Sequence, residues 1–335
     1  MRWRWWIGAG LAVMGLSWMA GCGPRSQDAA PSLTLYSGRS EDLIQPLLDR
    51  FIQDTGIRVQ VRYGPTAEMA ATILEEGRRS PADVFLAQDS GALGALARAG
   101  RLVPLPEDVL QEVPSKFRSP QGVWVGVSGR ARVVVVNPER VAEDDLPESV
   151  HGFTDPRWRG RVGCAPTNAS FQAFVTAMRV TEGEAATRAW LEAMQANQPR
   201  AYPRNTAIVT AVAAGEVDVG LTNHYYLPTM QRERGGRMSA RNHFLGRGTL
   251  VNVAGVAVLD TARDVDAART FVRYLLSDDA QAYFAGTTSE YPLARAAEAP
   301  ADLPPLDDLD TTDIDLSRLE DIDGTVRLLQ ELRIL

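Results

Sequence analysis

Two adjacent tyrosines, Tyr225 and Tyr226, follow a short apolar run, Val217-Asp218-Val219-Gly220-Leu221, and precede Pro228. Neighbouring side chains of a continuing strand point to opposite faces. Both phenols could reach one point only where the chain turns, and Pro228 with the change of pattern predicts a turn there. Paired phenols supply hard, anionic oxygens, which suit a highly charged cation such as ferric iron rather than the soft metals that thiolates take. A free phenol has a pKa of about 10, so only a close cation would hold two of them ionised at neutral pH. The same dipeptide can equally be read as packing residues with exposed hydroxyls, because aromatic pairs are common in cores. Other chemistry is sparse. The three histidines, His151, His224 and His243, form no His-Glu-x-x-His pattern, and no paired-cysteine spacing occurs. A Gly-x-Ser-x-Gly elbow is missing too. The chain is therefore expected not to be an enzyme, with His224 positioning its neighbours rather than binding metal.

The elements that would carry these residues alternate between strand and helix. Residues 33–36 read as a strand, and Leu43, Ile44, Leu47, Leu48, Phe51 and Ile52 mark one face of a following helix. Ile57, Val59, Val61 and Tyr63 alternate as a second strand, residues 66–76 as a helix, and 82–86 as a third strand. Such a βαβαβ run implies a parallel sheet with helices on both faces. Residues 131–136 are apolar enough for a strand buried on both faces and open a second α/β set. That set continues through a strand ending at Cys164, helices over 171–180 and 184–196, and the strand before the tyrosines. A long apolar strand over 250–258 follows, then helices over 267–276 and 279–285. Residues 296–315, rich in Pro and Asp, read as extended, and Val326, Leu328, Leu329 and Leu332 predict a terminal amphipathic helix. There are no internal repeats.

Arg2 and Arg4 precede an apolar run over 5–20 that is too short and too early for an ordinary membrane span. It ends at Met19-Ala20-Gly21-Cys22, which resembles a bacterial lipobox, so residues 1–22 are expected to be a lipoprotein signal peptide ending at the lipidated Cys22. Residues 23–32, with two prolines, would be a tether. The product would be exported to the periplasm or the outer face of the cytoplasmic membrane. About 310 residues would remain, more than one core usually holds, so two lobes are expected. A net charge of −7 argues against nucleic acid and anionic lipid as partners, leaving the membrane contact to the lipid alone. With Cys22 lipidated, Cys164 would be an unpaired core thiol.

Six stretches in order carry a family resemblance: Tyr36-Ser37-Gly38-Arg39, Ala82-Asp83-Val84-Phe85 with Gln88-Asp89, Ser128-Gly129-Arg130-Ala131-Arg132, Pro166-Thr167-Asn168-Ala169-Ser170-Phe171, Asn223-His224-Tyr225-Tyr226, and Glu290-Tyr291-Pro292-Leu293. Together they make the chain resemble a ferric-ion-binding protein of a bacterial iron ABC importer, within the type II periplasmic binding proteins. The resemblance implies two doubly wound α/β lobes joined by crossover hinge strands, with the ligand cleft between them. By position, 33–130 plus 257–305 would be lobe 1, and 131–256 plus 306–335 lobe 2. It further implies Tyr225 and Tyr226 as ferric ligands, with carbonate or phosphate as a synergistic anion. Asn168, Ala169 and Ser170 would form the anion pocket at a helix N-terminus, where free N–H groups and the dipole favour negative charge. Asn205, Asn223 and Arg130 match further anion contacts. The permease subunits of the transporter would be partners, and the protein itself a monomer.

This chain also departs from the family pattern. The place of a usual histidine ligand in the first cleft loop is taken by Ser40, the place of a third tyrosine by Ser170, and that of a glutamate ligand by Gln88. Glu41 could contribute a carboxylate, or could serve only as a favourable acid in the first turn of a helix capped by Ser40. Gln88 and Glu41 are thus candidate further donors. A binding protein of the same fold that takes an anion or small organic acid without metal is the alternative expectation. It would keep the helix-terminus pocket and Arg130.

Overall fold

The computed structural model describes residues 31–246, 249–295, 297–300 and 302–335; the expected signal peptide, Cys22 and nearly all of the tether lie outside them. In β1 (Ser32–Ser37), Leu33 and Leu35 are buried. The helix α1 (Glu41–Thr55) buries Ile44, Leu47, Leu48 and Phe51, the i, i+3, i+4, i+7 stripe of an amphipathic helix, and stops at Gly56 in the left-handed region. Burying each such side chain contributes roughly 1.5–3 kcal/mol. Ser40 stands at the N-cap position, but its side chain makes no cap bond, contrary to the expected capping role. Then come β2 (Arg58–Tyr63), α2 (Thr66–Glu76), β3 (Val84–Ala87), α3 (Ser90–Arg98) and α4 (Glu107–Gln111).

The strand β4 (Val125–Val136) is longer than the expected 131–136 and buried along its whole length. After it lie β5 (Val162–Cys164), α5 (Ala169–Glu182), α6 (Glu184–Ala196), β6 (Arg200–Ala201), α7 (Asn205–Ala213), β7 (Val219–Asn223), α8 (Tyr226–Arg234) and β8 (Arg241–His243). The chain finishes through β9 (Val251–Val258), α9 (Val265–Leu275), α10 (Asp278–Gly286), β10 (Tyr291–Pro292) and α11 (Ile322–Glu331). Among the described residues no helix is long and apolar enough to cross a membrane.

The strands run in the order β2-β1-β3-β9-β4-β7-β5-β6, with β8 and β10 pairing β4 off this path. One half is the parallel set β2-β1-β3, and the other contains the parallel set β7-β5-β6. Between them, β9 pairs antiparallel with β3 and β4. β4 itself changes partner in mid-strand: Val125 to Ala131 face β9, whereas Arg132 to Val136 face β7. These are two α/β lobes joined by crossover strands, the type II periplasmic-binding-protein architecture. The C-terminal segment crosses between the lobes as well. A missing Cβ at Gly94 of α3 would lie 2.1 Å from the Ser317 carbonyl oxygen, so only glycine allows this approach. Beyond it, Thr325 of α11 meets Thr176 of α5 at 2.6 Å.

Candidate metal centre

The chain does turn at the tyrosines. β7 ends at Asn223, Tyr225 takes the N-cap position of α8, and Tyr226 is its first residue. The rings lie 4.2 Å apart between centroids, inclined by 31°, and both are half-buried. Tyr226 rests on a small core of Val135, Ile208, Val212, Leu227 and Met230, which fixes the start of α8 against β7 and α7. Burial, and after it the adjoining Tyr226, push the Tyr225 phenol well above its ordinary pKa, while Arg130 acts the other way. Without a cation, Tyr225 is therefore protonated at neutral pH.

His224, immediately before the pair, is fully buried. The Ala131 N–H donates to its Nδ1 at 3.1 Å, so Nε2 carries the ring proton and donates to the Ser289 carbonyl at 2.9 Å. Burial pushes its pKa down to about 4, which keeps the ring neutral. Both ring nitrogens are engaged by backbone groups, which leaves neither free for a metal.

A polar network brings together four of the residues expected to hold an anion, Asn168, Ser170, Asn205 and Asn223. Asn168 caps α5, its Oδ1 accepting from the Ser170 N–H at 2.9 Å and hydroxyl at 2.7 Å. Asn205 Nδ2 donates to Asn168 Oδ1 at 3.2 Å and to Ser170 Oγ at 3.0 Å. Asn205 is the first residue of α7, not its cap, which is Arg204. Ala169 opens α5, one of the positions whose N–H has no partner within the helix. Asn223 joins the network through Arg132, whose Nη1 reaches Asn223 Oδ1 at 3.4 Å and Ser170 Oγ at 3.3 Å.

Arg132 was not singled out by the sequence. Its guanidinium is buried, donates to the Leu221 carbonyl at 3.0 Å, and lies over Phe171 and Phe174 at 5.9 and 5.5 Å. Burial lowers its pKa to about 10, and the ionisable side chains acting on it are Tyr226, Cys164 and Tyr225, none of them a carboxylate. The available signal was an arginine inside a run that otherwise reads as buried on both faces, since such a charge needs a partner. Arg130, by contrast, donates to the Gln88 backbone carbonyl and neighbours Tyr225 and Asp89. Asp89 caps α3 by accepting from the Ala92 N–H, and burial raises its pKa against the pull of Arg130. Four buried polar atoms here lack a partner: Arg130 Nε, Arg132 Nε, Asn205 Oδ1 and Gln88 Oε1.

The first-lobe candidates are less closely joined. Ser40 and Glu41 are exposed at the start of α1, and among the described residues no hydrogen bond ties either to the tyrosines. Glu41 instead acts, after burial, on the Tyr63 hydroxyl, whose pKa is pushed up to about 12. Cys164 is a buried free thiol in β5, pushed up to about 11 by burial.

The two lobes thus carry paired phenols at the end of β7, helix N-termini, and two buried arginines in the middle of the crossover strand β4, the architecture of a solute receptor. The family model for bacterial extracellular solute-binding proteins matches residues 79–315. The Fe(3+)-binding periplasmic protein of Serratia marcescens is 33% identical over 92% of this chain and 93% of its own length. The iron-bound HitA structure from Pseudomonas aeruginosa superposes with a TM-score of 0.82 at 33% identity, covering 90% of this chain and 99% of that one. A Trichodesmium IdiA (FutA) structure in complex with iron and citrate ligands gives 0.79 at 29% identity, with coverages of 90% and 99%. The chain belongs to the bacterial extracellular solute-binding proteins, among the ferric-iron-binding periplasmic proteins of iron uptake.

Proposed function

We propose that the protein captures ferric iron together with a synergistic anion and delivers it to the permease of an ABC importer, without catalysing a reaction. The observation that carries this reading is the Tyr225–Tyr226 pair, held at a 4.2 Å ring separation beside the polar network of Asn168, Ser170 and Asn205. The two phenolates would be the protein's principal ligands. Asn168, Ala169, Ser170, Asn205 and Asn223, with Arg130 and Arg132, would hold the anion. Ferric iron bound by two phenolates keeps one positive charge, so a dianion such as carbonate or hydrogen phosphate leaves a negative charge that the guanidiniums offset. Gln88 has a buried oxygen without a partner and is the better candidate for a first-lobe donor; Glu41, exposed at the start of α1, would have to swing in. Because neither replaces the usual histidine and glutamate, the anion must supply more of the shell of about six donors.

The functional lobes would be 33–130 plus 257–305 and 131–256 plus 306–335, with Cys22 lipidated to hold a monomeric receptor at the outer face of the cytoplasmic membrane. Metal and anion content of protein purified without chelator tests the iron reading directly. One ferric ion with carbonate or phosphate per chain is expected. An anion with no metal, and no uptake of added Fe³⁺, would replace it with the metal-free anion receptor. Arg132, a buried cation lacking a carboxylate, is the observation that favours this second reading.

A further inference from the structure

Three residues of the site are each preceded by, or lie next to, a residue anchored on one short segment between α10 and the end of β10. Glu290, buried within it, accepts from Arg39 Nη2 at 2.9 Å and from the Ser128 hydroxyl at 2.8 Å. Arg39 also donates to Ser128 at 3.2 Å, and its side chain is completely buried against Phe284. Arg39 immediately precedes Ser40, the first-lobe cleft residue. One position earlier, the Ser289 carbonyl accepts from His224 Nε2, and His224 immediately precedes Tyr225. One position later, Tyr291 pairs with Gly129 of β4, which immediately precedes Arg130, and its ring lies 4.9 Å from His224.

The segment is held in an unusual shape. Ser289 has φ +56°, a left-handed conformation uncommon outside glycine, asparagine and aspartate. Its hydroxyl accepts from Arg232 Nη2 at 3.0 Å, and Arg232 also donates to the Gly286 and Thr287 carbonyls at 2.8 and 3.0 Å. Arg232 lies in α8, the helix that begins at Tyr226. The turn therefore faces one lobe through Arg39, the other through His224 and Arg232, and the crossover strand through Ser128 and Gly129.

We propose that Ser289 and Glu290 are positioning residues for the metal site, registering Tyr225, Arg130 and the Ser40 loop against one another. This rests on the reading of Tyr225 as a ferric ligand. A second-sphere group that orients a ligand typically governs metal affinity by about 10–100-fold. A merely structural role predicts lower thermal stability, with unchanged colour and release rate in the folded fraction. The positioning role predicts a change in the complex itself.

The test compares wild type with Glu290→Gln, Glu290→Asp and Ser289→Gly, each loaded with Fe³⁺ and bicarbonate. Glu290→Gln should release iron to a competing chelator about tenfold faster or more, with a shifted phenolate-to-iron absorption band. Glu290→Asp, which keeps the charge, should restore part of the rate. Glycine suits the backbone at 289, so Ser289→Gly should fold at least as well as wild type while loosening the turn. Its release should quicken in the same direction even if Glu290→Gln does not fold. Coloured variants with wild-type spectra and release rates would overturn the positioning role and leave the iron reading intact. A colourless wild type would overturn the iron reading, and this inference with it.

Discussion

Within β4, Arg132 combines a buried guanidinium, two aromatic faces and hydrogen bonds to Ser170 and Asn223, with no carboxylate to neutralise it. Taking an unpaired charge out of water is costly, so its surroundings favour an anion beside it. Arg132→Gln should therefore leave a folded protein whose iron affinity no longer rises on adding carbonate or phosphate. Arg130→Ala should weaken the complex in the same way. Tight iron binding by wild type in anion-free buffer would show that protein ligands had been missed, with Gln88 and Glu41 the first to examine. The phenols give the complementary test. Tyr225→Phe or Tyr226→Phe removes one hydroxyl and should lower ferric affinity by about 100-fold or more, since even outer-sphere changes reach that size. Ser40→His should tighten binding if the first cleft loop faces the metal, and it forfeits no cap bond at Ser40.

The elements hold these residues by means that differ in how visible they are from sequence. Asp218, at the entry to β7, accepts from both Arg140 and Arg161. Burial alone would raise its pKa, but the two arginines prevail and hold it below the usual carboxylate value. A depressed folded-state pKa gives stability that is present above the unfolded value of about 3.9 and lost as pH falls through the folded one. Asp218→Asn should thus cost about 1–3 kcal/mol at pH 7 by denaturant unfolding, a gap that narrows below about pH 4. Periodicity revealed α1 and β2, and a continuous apolar run revealed β9, because these patterns are local. The turn at Tyr225 was legible because Pro228 and the end of an apolar run lie within a few residues of it. The partnership of Arg39 with Glu290 was not, since 251 residues separate them and no spacing encodes it. Ser40 has the residue type and backbone of a cap yet makes no cap bond, so composition at a helix start was a poor guide there.

At the scale of the molecule, the phenols and the Asn168–Ser170–Asn205 polar network belong to the β7-β5 half, while Ser40, Glu41 and Gln88 belong to the β1-β3 half. A ligand shifts an opening equilibrium only through contacts that differ between states. With a serine and a glutamine where the family has charged or strongly donating ligands, first-lobe contacts to the metal should be few. Iron should load onto the tyrosine lobe with only partial closure, and small-angle scattering should show a small change in radius of gyration on loading. Full compaction would instead demand a direct first-lobe ligand. The central claim, that paired phenolates and an anion hold ferric iron here, is tested most directly by visible absorbance on adding Fe³⁺ to the metal-free protein, with and without bicarbonate. A phenolate-to-iron charge-transfer band that reaches full intensity at one iron per chain, and only when the anion is present, is the predicted result. Metal-free protein that stays colourless with Fe³⁺ and bicarbonate together would contradict it.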